Sequence, residues 1–153
     1  MILGAIADVR LAGEADTARL GAAIGRQLKA GEAVCLSGPL GAGKSTLARG
    51  LVRQLAGAQV EAPSPTFTLV QTYETPRLFL SHFDLYRLES AEEVFELGFD
   101  EALDGGAVVV EWPDRLGAHL PQDRLDVELS FDGDARRARL TPHGAWEDRP
   151  LEL

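Results

Sequence analysis

The chain has 153 residues, of which 45% are hydrophobic and 25% charged, so it is large and apolar enough to fold around a core rather than stay disordered. Its 24 Asp and Glu outnumber its 15 Lys and Arg, and the net charge of −9 argues against a free-standing nucleic-acid binder, which carries a basic face. No apolar run approaches the roughly 20 residues of a membrane helix, and the N-terminal segment lacks the basic start of a signal peptide, so we expect no membrane contact and a cytoplasmic location. Cys35 is the only cysteine and lies in an apolar run, where it is interpreted as a small buried hydrophobe.

Hydrophobic periodicity divides the first part of the chain into strands and helices. Leucine and isoleucine recur at four-residue spacing in two stretches, which predicts two amphipathic helices. Gly31 and Gly57 follow these stretches and are expected to end the helices. In chain order, the predicted elements are a strand over residues 2–9, a helix over 14–30, a strand over 33–37 and a helix over 44–56.

The rest of the chain combines strand patterns with turn signals. A Thr-Pro pair ending at Pro76 and an Asp-Gly pair ending at Gly133 each separate two strand-like stretches, which predicts two antiparallel hairpins. Ser90, with Glu93 three residues later, predicts a helix that begins with a capping box. The predicted strands cover residues 68–74, 77–83, 107–111, 125–131 and 137–141.

Residues 38–45 read Gly-Pro-Leu-Gly-Ala-Gly-Lys-Ser and match the phosphate-loop pattern G-x-x-x-x-G-K-[S/T] in full. Glycines let backbone N–H groups face a phosphate, and the N-terminus of the following helix favours an anion. The pattern assigns Lys44 to the β- and γ-phosphates and the Ser45 hydroxyl to Mg²⁺. A glycine-rich turn without a ligand is the alternative, but a predicted strand precedes the loop and a predicted helix follows it, as phosphate binding requires. The predicted nucleotide-binding residues are Gly38, Pro39, Leu40, Gly41, Ala42, Gly43, Lys44, Ser45 and Thr46.

The loop and the succession of strands and helices predict the α/β class, with residues 1–153 as a single P-loop NTPase-like domain whose mixed sheet is flanked by helices. Ligand sites in such sheets gather at the carboxyl ends of strands. Asp84 ends one apolar stretch and is the candidate for the second metal-binding acid, with a surface strand-end aspartate as the alternative. Glu111 directly follows three valines, and we expect it either to orient the attacking water or to ligate the metal.

Three other residues near these positions have two interpretations each. Thr66 lies in a proline-stiffened loop and is either a switch residue that senses the γ-phosphate or part of a structural turn. His82 shares a strand face with Asp84, and a structural histidine is the favoured interpretation. Trp112 is expected in the core, with packing over the site as the alternative.

Segments from residue 38 to residue 121 resemble the TsaE family of bacterial tRNA threonylcarbamoyladenosine biosynthesis proteins, which are P-loop ATPases. The distinctive blocks are His-Phe-Asp-Leu-Tyr-Arg over residues 82–87 and Glu-Trp-Pro over 111–113, whereas the phosphate loop is generic. The other matching segments cover residues 64–70, 96–98 and 120–121, and the predicted helix over 14–30 fits the start of the family. Pro39 stands where the family usually has an acidic residue, and the chain after Arg136 matches loosely.

The resemblance implies a role beside two partner proteins, TsaB and TsaD, which transfer threonylcarbamoyl to the adenosine beside the anticodon. The family member binds Mg-ATP and hydrolyses it to reset that complex, and it reaches tRNA only through the partners. Because no arginine finger is assignable here, we expect slow hydrolysis alone and faster hydrolysis with the partners. The implied catalytic residues are Lys44, Thr66, Asp84 and Glu111, with Ser45, Asp84 and Glu111 at the metal and Glu14 and Arg136 at the nucleotide.

Two other functions stay open on the sequence. A small-molecule P-loop kinase needs a substrate pocket and usually a mobile lid that carries arginines, but the arginine cluster at residues 136–139 lies on a predicted strand. A GTP-dependent switch uses an Asn/Thr-Lys-x-Asp motif for guanine, and the chain contains no asparagine. The Asp-x-x-Gly pattern at residues 114–117, which such switches share, is short and is treated as coincidence.

Overall fold

The computed structural model describes residues 2–3 and 7–153. The strands are β1 (Ile2–Leu3), β2 (Ala7–Leu11), β3 (Ala33–Ser37), β4 (Val70–Glu74), β5 (Phe79–Asp84), β6 (Ala107–Glu111), β7 (Arg124–Asp132), β8 (Ala135–His143) and β9 (Leu151–Glu152). The helices are α1 (Glu14–Gln27), α2 (Lys44–Ala56), α3 (Glu93–Glu96) and α4 (Phe99–Gly105), with 3-10 segments at Pro113–His119 and Gly144–Trp146. Within these residues, no helix combines the length and the apolar character needed to span a bilayer.

A mixed sheet of seven strands runs through the centre of the described structure, in the order β2-β8-β7-β3-β6-β5-β4. Strands β7, β3, β6 and β5 are parallel neighbours. The outer pairs, β4 with β5 and β8 with β7 and β2, are antiparallel. Strands β1 and β9 pair antiparallel in a separate small sheet. The mixed sheet flanked by helices confirms the predicted α/β fold.

Helices α1 and α2 pack against each other over one face of this sheet. Their contact is close because it uses glycines: a Cβ added at Gly21 would lie 2.1 Å from the carbonyl oxygen of Leu47, and one at Gly50 would lie 2.3 Å from that of Ala18. The apolar sides of both helices share one core with β3 and β7. Helices α3 and α4 cover the other face of β5 and β6, where a second core forms. The sheet thus holds the start of α2 at the carboxyl end of β3.

The local signals for α2 and for the two hairpins were confirmed. Helix α2 has the predicted bounds, and the N–H of Gly57, at φ 117°, donates to the carbonyl of Arg53 at its end. Strands β4 and β5 pair antiparallel across the turn at Pro76. Strands β7 and β8 do the same across Gly133, which has a φ of 60°.

Two other expectations were wrong or only partly fulfilled. The predicted strand over residues 2–9 is found as β1 and β2, and residues 4–6 of that prediction lie outside the described residues. Helix α1 ends at Gln27, not at residue 30, because Leu28 is extended, with φ −70° and ψ 132°. The Arg77 guanidinium donates to the carbonyls of Gly25 and Leu28 at 2.6 and 2.5 Å and so caps this end from the β4–β5 turn.

The predicted capping box at Ser90 was also wrong. Helix α3 begins at Glu93, and within the described structure no side chain caps it. The Ser90 carbonyl, not its hydroxyl, accepts the Glu93 N–H at 3.3 Å. Helix α4, which follows Gly98 at a φ of 80°, was not predicted from the sequence.

Candidate functional site

The loop at residues 38–45 connects β3 to α2, as predicted. Gly38, Gly41 and Gly43 have φ angles of 135°, 82° and 110°, which residues with a Cβ rarely adopt. Gly43 is the N-cap of α2, and no side chain among the described residues caps this helix. The N–H groups of its first turn are therefore available to an anion. The loop has the backbone form and the donors that a phosphate group needs.

Lys44 lies in the first turn of α2 and is 5% exposed. Its Nζ donates to the carbonyls of Gly38 and Pro39 at 2.5 and 3.0 Å, and it lies 4.3 Å from the ring centroid of Trp112. Burial lowers the pKa of Lys44, while nearby carboxylates, Glu111 first among them, act in the opposite direction. A cation held with so little water attracts an anion more strongly than an exposed lysine does.

Two carboxylates reach the loop from neighbouring strands. Asp84 and Glu111 are the last residues of β5 and β6 and lie opposite each other in parallel register. Both are buried. The Ser45 hydroxyl, on the first turn of α2, donates to Oε1 of Glu111 at 3.2 Å. The fold therefore brings the three predicted metal-binding side chains to one edge of the sheet.

The loop that contains Thr66 contacts Asp84. Thr66 Oγ1 and Ser64 Oγ donate to Oδ2 of Asp84 at 3.3 and 3.4 Å, and the Tyr86 N–H donates to Oδ1 at 3.1 Å. Thr66 is placed beside the candidate metal acid, as a switch residue requires. Ser64 and Tyr86 were not predicted as site residues, although both stand within two residues of a predicted one.

Trp112 lines the cleft, and His82 is buried beneath it. Nε2 of His82 lies 2.7 Å from Oε2 of Glu111, and both side chains are buried. A purely structural role for His82, which the sequence favoured, does not account for this direct contact with Glu111, a candidate catalytic residue. Trp112 is half-buried at a φ of 61°, and its ring contacts both the Lys44 ammonium group and the Tyr86 ring, whose centroid is 4.9 Å away. Trp112 therefore packs over the site as well as against the core.

These groups surround a cleft of about 440 Å³. Gly38 and Pro39 do not line it, but their carbonyls accept hydrogen bonds from Lys44, which does. Glu14 borders both the cleft and an adjoining pocket of about 190 Å³, which Ala42 and Arg136 also line. The residues that line the cleft are Glu14, Leu40, Gly41, Gly43, Lys44, Ser45, Thr46, Ser64, Thr66, Asp84, Tyr86, Arg87, Glu111 and Trp112.

Arg136, predicted at the nucleotide, lies on β8 beside the phosphate loop. Its Nη2 donates to the Gly41 carbonyl at 3.3 Å, and its guanidinium carbon lies 4.6 Å from the ring centroid of Phe131. The arginine braces the loop from outside and reaches the adjoining pocket. Arg87, which the sequence analysis did not assign to the site, lines the main cleft.

The residues at the sheet edge fit a magnesium ion by their chemistry. Ser45, Asp84 and Glu111 offer oxygen atoms only, and Mg²⁺ prefers oxygen ligands and keeps several waters or phosphate oxygens. Among the described residues, no group of three or more His, Cys, Asp or Glu side chains forms a complete protein cage. A hydroxyl with one or two carboxylates forms only a partial shell, which suits an ion that arrives with a nucleotide.

The fold and this loop define the class of P-loop NTPase-like proteins. The family model for threonylcarbamoyl adenosine biosynthesis protein TsaE matches residues 11–139. The chain belongs to the TsaE family, which takes part in the biosynthesis of threonylcarbamoyladenosine in tRNA. This finding confirms the resemblance noted in the sequence.

Relatives from distant bacteria agree over most of the chain. The tRNA threonylcarbamoyladenosine biosynthesis protein TsaE of Treponema pallidum is 43% identical over 123 residues, or 80% of this chain and 90% of the relative. The protein of the same name from a Nostoc species is 37% identical over 150 residues, or 93% of this chain and 90% of the relative. The crystal structure of Bacillus subtilis YdiB matches with a TM-score of 0.76 and 29% identity, over 94% of this chain and 88% of YdiB.

Proposed function

We propose that this chain binds Mg-ATP in the cleft and hydrolyses it. One observation carries the proposal: the Ser45 hydroxyl donates to Glu111, and Asp84 lies opposite Glu111 in register, beside a loop whose helix N-terminus is uncapped by any described side chain. The loop offers donors for phosphate oxygens, and the sheet edge offers oxygen ligands for a divalent cation. A site for phosphate and metal together is the chemistry that nucleoside-triphosphate hydrolysis needs.

The loop and Lys44 would hold the phosphate groups. Backbone N–H groups of α2 and the loop would donate to phosphate oxygens, and Lys44 would exchange its bonds to the Gly38 and Pro39 carbonyls for bonds to phosphate. When bound, Mg²⁺ would neutralise the charge that develops on the β- and γ-phosphates. Ser45 and Asp84 would hold that ion, and Thr66, bonded to Asp84, would respond to the γ-phosphate.

Glu111 would orient the attacking water. Its carboxylate lines the cleft, and Oε1 is the oxygen that accepts the hydrogen bond from the Ser45 hydroxyl. A carboxylate in this position can accept a water proton as the water approaches the γ-phosphate. We propose this role rather than direct metal ligation.

We propose that partner proteins dock over the mouth of the cleft, and that these are the TsaB and TsaD homologues. Support comes from large apolar side chains that stand exposed around it: Phe67 is 81% exposed, Leu40 67%, Phe131 52% and Tyr86 42%. Arg87 stacks on Phe67, and Arg136 stacks on Phe131. Exposed apolar groups gathered beside a site mark protein-binding surfaces. Hydrolysis in this position would be coupled to release of the partners.

We also propose that this chain does not contact tRNA directly. With a net charge of −9, the protein lacks the excess of cations that phosphate-backbone binding uses, so the partners would hold the RNA. We further propose that residues 1–153 act as one domain, because the two cores lie on opposite faces of one sheet. We also propose that the protein works in the cytoplasm, because its family takes part in tRNA modification.

Hydrolysis is tested with Glu111→Gln and a matched variant on α4, Glu101→Gln, which also exchanges one carboxylate for an amide. Glu111→Gln should keep Mg-ATP affinity and lose about 10²- to 10⁴-fold in turnover, the usual loss for a general base. Glu101→Gln should behave as wild type in both measurements. The assay is phosphate release from ATP, with GTP in parallel, alone and with TsaB and TsaD. If Glu111→Gln loses metal affinity together with turnover, Glu111 is a ligand and the water role is refuted.

Docking is tested with Phe67→Ala, and Phe79→Ala is the matched control. Phe79 is also an exposed phenylalanine, at 39%, but it starts β5 and lies about 16 Å from the cleft end of that strand. Phe67→Ala should weaken binding to the TsaB–TsaD pair by about 10- to 30-fold and leave nucleotide affinity unchanged. Equal binding by both variants would refute docking at the mouth of the cleft.

A further inference from the structure

The contact between His82 and Glu111 joins two buried polar side chains beneath the cleft. The distance from Nε2 of His82 to Oε2 of Glu111 is 2.7 Å, and the two residues are 1% and 2% exposed. A buried carboxylate needs hydrogen-bond donors, because it has lost those of water. Ser45 supplies a donor to Oε1, and His82 supplies one to Oε2. Each oxygen of Glu111 therefore has its own partner.

The ring nitrogens of His82 differ in their surroundings, and Nε2 is the one that faces a carboxylate oxygen, which accepts hydrogen bonds. Nδ1 is buried and has no hydrogen-bond partner within the described part of the chain. A proton on Nδ1 would be a buried donor without an acceptor, which is unfavourable. The arrangement with one proton, on Nε2, gives Glu111 a donor and leaves Nδ1 as a bare acceptor.

The register of β5 and β6 fixes the direction of this bond. His82 lies opposite Val109, and Asp84 lies opposite Glu111. The imidazole is therefore on the same face of the sheet as the two carboxylates, two residues before the carboxyl ends of the strands. Leu80 and Val109 belong to the core on this face. The imidazole is thus held between the apolar core and Glu111, and it contacts the carboxylate from the side away from the loop.

We propose that His82 is a positioning residue for Glu111, and this inference rests on the proposed ATPase function. By occupying Oε2, the imidazole prevents the carboxylate from rotating and from binding a metal with both oxygens. Oε1 alone then faces Ser45 and the phosphate side, where a water must be aligned. His82 itself touches neither nucleotide nor water.

Two replacements of His82 separate positioning from packing. His82→Leu fills a similar volume and has no donor, whereas His82→Gln can place an amide N–H close to the position of Nε2. His82→Leu should leave Mg-ATP affinity unchanged and lower turnover by about 10- to 100-fold, the range seen when a group that orients a ligand is removed. His82→Gln should recover most of the loss. The control Ser81→Ala removes a buried hydroxyl on the opposite face of β5 and should match wild type.

A measurement on the unaltered protein tests the inference without hydrolysis. Nitrogen-detected NMR of the His82 ring should show a proton on Nε2 only, and Glu111→Ala should shift that signal. A proton on Nδ1 instead, wild-type turnover by His82→Leu, or equal losses in His82→Leu and His82→Gln would each overturn the proposal. If the wild-type protein hydrolyses no ATP, the proposed function fails, and the NMR result still decides whether His82 positions Glu111.

Discussion

The packing of α1 on α2 sets the position of the phosphate loop, and Gly21→Ala perturbs this packing with a single methyl group. The added Cβ would lie 2.1 Å from the carbonyl oxygen of Leu47, far inside the 3.0 Å below which such contacts essentially never occur. Because that oxygen belongs to the backbone of α2, the helices must separate. Thr17, one turn earlier on α1, lies against Gly43, so the displacement extends to the loop.

The size of the effect follows from two opposing contributions. Inserting a methyl group into a well-packed contact costs about 1–3 kcal/mol, and the backbone position of the clash places this site at the upper end. Alanine gains about 1 kcal/mol over glycine in helix propensity. The net destabilisation is therefore about 2 kcal/mol, which lowers Tm by about 4–8 °C for a chain of this size.

Thermal unfolding followed by circular dichroism measures this change. The matched control is Gly105→Ala, at the end of α4, where an added Cβ meets nothing within 4 Å. Gly105→Ala should leave Tm unchanged or raise it slightly. A Gly21→Ala protein that unfolds at or above the wild-type temperature would refute the packing argument.

Two further predictions concern buried polar groups away from the cleft. Burial raises the pKa of the Cys35 thiol to about 12, so the thiol should be unreactive in the folded protein. At pH 8, an aromatic disulfide reagent should label no thiol in the native protein and one thiol in guanidinium. Labelling of the native protein would contradict this prediction. Arg149 pairs with the buried Glu32 at 2.5 Å, so Arg149→Met should lower the free energy of unfolding by about 3–5 kcal/mol, and adding Glu32→Gln should restore much of it. Equal stability of the single and double variants in urea would contradict a burial cost for Glu32.

The parts of the fold that the sequence predicted correctly depend on local signals. The stripe of α2 and its final Gly57, and the turns at Pro76 and Gly133, lie within the segments that they organise. The end of α1 has no such local signal, because the group that caps it is Arg77, which is 49 residues beyond Leu28 in the chain and donates to the last carbonyls of the helix. A tertiary cap of this kind leaves no mark in the helix sequence itself.

The candidate site shows the same division. Lys44 and Ser45 follow from a contiguous motif, and Glu111 follows from its place after three valines. The bond from His82 to Glu111 depends on β5 lying beside β6 in one particular register. Spacing placed His82 on the face of Asp84, but only strand pairing brings the ring to a carboxylate 29 residues away.

Calorimetric titration of ATP into the folded protein, with and without magnesium, tests the central claim most directly. Wild type should bind one equivalent only when magnesium is present, and Lys44→Ala should bind about 10- to 100-fold more weakly because charge-assisted bonds to phosphate are lost. Lys29→Ala, which removes the only other lysine, should bind as wild type. A folded wild-type protein that gives no binding heat, or a Lys44→Ala variant that binds equally well, would contradict the assignment of the cleft.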